Sequence, residues 1–258
     1  MGGRRSGTSI RASVFAGALA VAQAASAGEI ILNHDEWTLT DYGFAQAPAS
    51  TTAFAQNLAA QLNSNGGPCN LLVYSDNFGL TGSSLNTAFA GAGCSVTYST
   101  GAFNSSTLSG YDGVLLGSFQ YSYNASVLAS YVNAGGNVYI AGGTGTPNED
   151  TIWDSFTHPF GLDFGPSYDG IAGLIPISSS NPLFAGVTEL YFNNGNSVSL
   201  DGDNPGAQIV VSLGDNGLFG EYDTPPQRAN AEAVPEPATL TLLGAGLFAI
   251  GLRRRKKH

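Results

Sequence analysis

Tyr111-Asp112-Gly113-Val114-Leu115-Leu116-Gly117 is the stretch whose reading decides the fold. Its apolar centre is short, unbroken and bounded by glycine, which suits a strand covered on both faces better than a half-exposed one. Further on, Asn124 stands where a helix cap belongs. Val127, Leu128, Tyr131 and Val132 then fall on one helical face, and Gly135-Gly136 stops the run. Val138-Tyr139-Ile140-Ala141 follows as a second continuous apolar segment. Strand, helix and strand at this spacing predict a parallel pair joined by a crossover.

The same alternation extends upstream. Leu71-Leu72-Val73-Tyr74 is again almost wholly apolar and is predicted to be the first central strand. Before it, Phe54, Leu58 and Leu62 recur every four residues from a cap at Ser50 or Thr51 to a stop at Gly66-Gly67, and 33–48 is a polar and aromatic lead-in. After it come a loop at 77–82, a helix carrying Leu85, Ala88 and Phe89 that closes at Gly91 or Gly93, and the run Ser95-Val96-Thr97-Tyr98. Downstream, 148–157 has helical character, with Glu149 and Asp150 favourably placed in the first turn and Pro159 beyond the end. Segments 187–192, 197–200, 209–213 and 218–222 are β-like. These elements predict an α/β domain with an open, mainly parallel sheet and helices on both faces.

Three segments carry a family resemblance. They are 111–117, then Tyr131-Val132-Asn133-Ala134-Gly135-Gly136-Asn137-Val138, then Asn181-Pro182-Leu183-Phe184-Ala185-Gly186-Val187. In order and spacing they resemble the class I glutamine amidotransferase-like superfamily over 70–223. The resemblance implies a flavodoxin-like sheet with the first two strands adjacent and a functional site at the carboxyl ends of the strands. Active members place a cysteine on the tight turn after the strand that here is 138–141. This chain has Gly142-Gly143-Thr144-Gly145 there, and glycine supplies no nucleophile. The Thr144 hydroxyl needs a neighbouring base to act. The expected late histidine is missing from 209–223, and 28–233 contains only His34 and His158. The expectation is a domain without cysteine-histidine chemistry, catalytic residues or a cofactor.

If the superfamily arrangement holds, Asp76, Asn77, Gly142, Gly143, Thr144 and Gly145 converge in a crevice at the strand ends. Asp76 is the best-placed acid, although an aspartate there also serves as a loop cap. With eighteen acids in 28–233, a carbohydrate-active hydrolase using a carboxylate pair is the alternative function. Asp201-Gly202-Asp203-Asn204 offers oxygens at alternate positions, so Asp201 and Asp203 are Ca²⁺ candidates. The turn lacks the later bidentate glutamate of an EF-hand loop and reads equally as an ordinary polar turn. Tyr121, Tyr123, Tyr168 and Tyr191 are candidates for stacking on sugar rings or for packing.

Charge narrows the partners. Residues 28–233 hold eighteen acidic side chains against Arg228, a formal 1 − 18 = −17. Nucleic acid and phosphorylated cofactors are disfavoured in that field. A neutral or cation-bridged polysaccharide is compatible with it, as is a purely solubilising role. The two cysteines have matching registers, Cys69 two residues before Leu71 and Cys94 two before Val96. Adjacent parallel strands run about 4.8 Å apart, within disulfide reach, so a Cys69–Cys94 bond is expected, with two buried thiols as the alternative.

Both termini carry targeting patterns. Arg4, Arg5 and Arg11 precede an apolar run, 12–22, and Ala25-Ser26-Ala27 is a small-residue site at which signal peptidase can cut between Ala27 and Gly28. At the other end, Val234-Pro235-Glu236-Pro237 leads into an apolar run, 238–252, and then Arg253, Arg254, Arg255, Lys256 and Lys257. A fifteen-residue helix spans roughly 22 Å, short of the ~30 Å hydrocarbon core, and the basic cluster stays cytoplasmic. This order resembles the PEP-CTERM signal of bacterial surface proteins, which implies recognition by an exosortase, removal of the tail and a transient inner-membrane anchor. An ordinary membrane anchor is the other reading. The chain thus divides into a signal peptide (1–27), an α/β domain (28–233) and a sorting segment (234–258). The expected product is an exported envelope, cell-surface or extracellular-matrix protein with a non-catalytic binding or structural domain.

Overall fold

In the computed structural model, which describes residues 27–63, 66–118 and 123–223, the apolar runs divide between two cores by alternation. Leu71, Val73, Leu115, Tyr139 and Ile31 face one side of the sheet, while Leu72, Val114, Leu116, Val138, Ile140, Ile30 and Leu32 face the other. Period-two side chains on a strand buried on both faces make this division unavoidable. The signal segment through residue 26, Tyr121, Arg228 and the whole sorting tail lie outside the described residues.

The elements run β1 (Ile30–Asn33), a one-turn 3-10 helix (Glu36–Leu39), α1 (Asp41–Gln46), α2 (Pro48–Leu62), β2 (Cys69–Val73), α3 (Ser83–Gly91), β3 (Cys94–Tyr98), α4 (Ser105–Leu108), β4 (Gly113–Gly117), α5 (Ala125–Asn133) and β5 (Asn137–Ala141). They continue with α6 (Glu149–Thr157), β6 (Leu162–Tyr168), β7 (Ala172–Pro176), β8 (Glu189–Asn193), β9 (Asn196–Leu200), β10 (Ala207–Leu213) and β11 (Asn216–Tyr222). Five strands are parallel in the order β3-β2-β4-β5-β1. Strands β11, β10, β9 and β6 extend the sheet antiparallel, and β7 with β8 forms a separate hairpin. Helices α2 and α3, with β8, cover the first core, while α4, α5 and α6 cover the second.

The α/β class and the β2-α3-β3 crossover agree with the sequence reading, and Asn124 caps α5 as expected, its side chain accepting from Val127 N–H. Three expectations are corrected. The first strand of the chain is β1, which lies between β5 and β11 and shares only Asn33 with the supposed lead-in segment. Helix α2 begins at Pro48, whose fixed φ suits the first helical position. Ser50 and Thr51 are therefore interior, and Ser50 Oγ bonds Thr188 Oγ1 at 3.0 Å. Strands β6 and β7 were not anticipated.

The junction beside β1 positions the site. β11 pairs with β1 over Phe219–Tyr222 but with β9 at Gly217, so β9 takes over the flank of β11 where β1 leaves it. The handover is sealed by His34, whose N–H donates to Leu218 O at 3.0 Å and whose carbonyl accepts from Asn196 N–H at 2.8 Å. No helix among the described residues is long and apolar enough to cross a membrane.

Candidate functional site

As β1 peels off the sheet it delivers His34, Asp35 and Glu36 to the carboxyl ends of the parallel strands. His34 and Asp35 are fully buried and Glu36 nearly so. Each has specific partners. His34 Nδ1 lies 2.9 Å from Asp169 Oδ2, which also accepts from Ser197 Oγ at 3.0 Å. Burial pushes the Asp169 carboxyl up, but these bonds and the Ile171 N–H outweigh it and hold the group below its usual range. Asp35 Oδ1 accepts from Trp37 N–H at 2.8 Å, and its other oxygen accepts from Asn193 N–H. Burial nevertheless raises it. Burial likewise pushes Glu36 up to about 7, against the hydrogen bond from Asn77 Nδ2.

A further acid arrives from the helix that follows β5. Glu149, in the first turn of α6, accepts from Thr144 N–H at 2.9 Å and from Thr144 Oγ1 at 2.8 Å. It is raised by burial, with those bonds opposing. Its charge is felt by Glu36, and the Tyr168 hydroxyl, raised first by burial, feels Glu149, Glu36 and Asp35 together. The three carboxylates therefore share one neighbourhood. The turn between β5 and α6 depends on glycine at 143, where φ is +66° and a Cβ would lie 2.6 Å from Gly195 Cα and 2.8 Å from His34 O. A cavity of about 270 Å³ opens beside it, lined by Gly145, Glu149, Tyr168 and Asn196 among others.

Asn77 is tied to Glu36, and Gly143, Thr144 and Gly145 form the turn that Glu149 pins, but Gly142 packs beneath the ring of Phe164 and Asp76 is exposed on the rim. The acids that gather are Asp35, Glu36 and Glu149. Their signal in the sequence was the dense tetrad His34-Asp35-Glu36-Trp37, directly after an apolar run in a chain with 11% charged residues.

An aromatic shelf continues from the acids. Trp37 meets Phe78 edge-on at 5.0 Å and Tyr42 at 6.1 Å, and Tyr42 meets Tyr191 at 4.9 Å. Tyr42 and Phe78 are each 49% exposed, unusual for rings of this size beside a buried polar cluster. Of the other tyrosines, Tyr123 packs against Phe103 and Trp153 in the second core, while Tyr168 is 50% exposed at the cavity mouth.

Asp201 and Asp203 are both exposed, and the turn they occupy is held by Asn204 Oδ1 accepting from Gly206 N–H at 3.0 Å. Asp201 Oδ2 lies 3.7 Å from His158 Nδ1. Cys69 and Cys94 form the expected disulfide. Gly28, the first residue after the expected cleavage site, is buried, and its N–H donates to Val132 O at 2.7 Å.

Among known proteins, residues 233–256 match the family model of the PEP-CTERM protein-sorting motif. No curated protein and no solved structure matches the chain. The matched span contains Val234, Pro235, Glu236 and Pro237, the apolar run and the basic cluster through Lys256. The chain carries a PEP-CTERM sorting signal, which implies export to the cell envelope or surface and processing by an exosortase.

Proposed function

We propose that the body is a non-catalytic binding module for a neutral polysaccharide, carried to the envelope or extracellular matrix by the sorting signal. The observation that carries this reading is the shelf of Trp37, Tyr42, Phe78 and Tyr191 beside Asn77 and Glu36. Sugar rings present apolar C–H faces and hydroxyl edges, so stacking rings next to amide and carboxylate groups suit them. Eighteen acids against one arginine leave a neutral glycan as the better match than an anionic one.

A flavodoxin-like, amidotransferase-like descent is supported by the order β3-β2-β4-β5, which corresponds to 2-1-3-4 of that arrangement, with β1 in the fifth place. Gly142 after β5 in place of a nucleophile supports lost chemistry. So does the engagement of the acids, since Asp35, Glu149 and Asp169 each accept backbone N–H groups and so hold the loops.

One observation favours the alternative, a hydrolase. Thr144 Oγ1 donates to Glu149, a carboxylate with a raised pKa, and Glu36 sits near 7 close by. Calorimetry and product analysis with neutral glycans separate the two. The binding reading expects saturable binding, no released sugar, and about tenfold weaker affinity in Phe78→Ala from the loss of one stacking ring. Affinity unchanged in both Phe78→Ala and Tyr42→Ala overturns it. Sugar release abolished by Thr144→Ala or Glu36→Gln, with folding intact, installs the hydrolase instead.

A further inference from the structure

Away from the strand-end site, His158 lies one turn after Asp154, at the end of α6, and β6 returns Asp163 beside it. Nε2 of His158 is 3.3 Å from Oδ1 of Asp154 and 3.3 Å from Oδ1 of Asp163. One ligand atom from each residue lies within 4.8 Å of the other two. Neither approach is a hydrogen bond. The Nε2 atom is buried and makes none, and 3.3 Å exceeds the ordinary N–H···O range of about 2.7–3.2 Å. The spacing does match the edge of a tetrahedron with bonds of ~2.0–2.1 Å, which is roughly 3.3 Å.

The other ring nitrogen repeats the argument. Asp201 Oδ2 is 3.7 Å from Nδ1, on the side away from the two aspartates, so a small rotation lets Nδ1–H donate to it. A carboxylate behind the histidine fixes the tautomer that leaves the Nε2 lone pair available. The four side chains are each about a third to a half exposed, which leaves the cluster open to solvent ions. Arg228 is the only basic side chain in 28–233, so the surrounding field favours a cation.

We propose that Asp154, His158 and Asp163 bind a divalent cation of the zinc class, through Nε2 and one oxygen from each carboxylate, with water completing the coordination. Asp201 is a positioning residue that acts on the metal through His158. The ligand set argues against Ca²⁺, which takes six to eight oxygens, whereas imidazole with carboxylate suits Zn²⁺ and its transition-metal neighbours. The ion joins α6 to β6, two elements that otherwise meet through apolar packing of Trp153, Phe156 and Phe164.

The test is calorimetric titration of the full chain, stripped with a chelator, with ZnCl₂ and separately with CaCl₂. Thermal melts follow each titration, and visible absorption follows CoCl₂. One zinc per chain is expected, with a rise in melting temperature, much weaker Ca²⁺ binding and the intense cobalt absorption of a low-coordinate site. His158→Gln and Asp163→Asn should each abolish the one-to-one phase, and Asp201→Asn should weaken it about ten- to a hundredfold. Each variant is first melted without metal, and any that keeps the parent melting temperature decides the matter. Zinc binding that survives unchanged in a folded His158→Gln or Asp163→Asn protein, as it would if His258 or scattered acids held the ion, overturns the proposal. So does the absence of zinc binding to the parent chain.

Discussion

Cys69 and Cys94 are register partners in the parallel ladder of β2 and β3, with their Cα atoms 4.5 Å apart and their sulfurs joined. The bond closes a loop with a sequence separation of 25 residues at the edge of the sheet, where β3 has a single strand neighbour. In the chain-entropy model it contributes roughly 3 kcal/mol by restricting the unfolded state. Replacing both cysteines by serine should lower unfolding free energy in urea by about that amount. Thiol labelling of the denatured, unreduced exported protein should detect no free thiol. Two reactive thiols per chain would show that the bond does not form in the cell.

Glu29, beside Glu221, makes the stability of the domain depend on pH. Burial pushes the Glu29 carboxyl up to about 9, reinforced by the side chain and charge of Glu221 and by the charge of Asp223. Glu221 is itself held by Asn181 Nδ2. The folded protein keeps a proton that the unfolded chain releases above pH about 4.5, so this contribution is complete below that pH and declines up to about pH 9. Glu29→Gln keeps the donor toward Glu221 and removes the titration. It should raise stability at pH 8 by on the order of 1–3 kcal/mol and flatten the pH profile of urea midpoints between 5 and 9. An unchanged profile would place the titration elsewhere.

Much of this architecture is written in local pattern. Leu71-Leu72-Val73 and Val114-Leu115-Leu116 announce buried strands because both faces are apolar, and Asn124 announces α5 because its cap is local. The missed elements fail for physical reasons. β6 contains Gly165 and Pro166 and β7 contains Gly173 and Pro176, residues that weaken a strand pattern yet are tolerated at sheet edges and in a lone hairpin. β1 is four residues directly after a small-residue cleavage pattern, and it becomes a strand because β5 and β11 flank it. The site was still less legible. His34 and Asp169 are 135 positions apart, and Asp35 meets Asn193 across 158, so pairing depends on the completed sheet. The disulfide could be anticipated because matching offsets from two adjacent parallel strands encode a register.

Gly143 offers a direct check on the handover between β1 and β9. An added methyl would meet only backbone, Gly195 Cα at 2.6 Å and His34 O at 2.8 Å, and φ of +66° is costly for any residue with a Cβ. No flexible side chain is there to move aside. Gly143→Ala should cost about 2–4 kcal/mol in urea unfolding, combining backbone strain with overpacking. A loss below about 0.5 kcal/mol would mean that β9 is not pressed against the end of β1.

The sorting tail predicts a specific product. The Pro235-Glu236-Pro237 motif lies within the matched 233–256 span, and the apolar run after it would reach only roughly 22 Å as a helix, against a ~30 Å hydrocarbon core. With the basic cluster Arg253, Arg254, Arg255, Lys256 and Lys257 kept cytoplasmic by the positive-inside rule, this order predicts that the motif is presented at the outer face of the membrane, where the processing enzyme can reach it. Mass spectrometry of the surface-associated protein should find a C-terminus that lacks Arg253 through His258, and an N-terminus at Gly28. Replacing Pro235, Glu236 and Pro237 with alanine should leave the full-length tail in the membrane fraction while preserving the N-terminal cut, since signal peptidase acts on a separate site. Recovery of the complete tail from the surface-associated protein of cells with an active exosortase would mean that the segment is a lasting anchor.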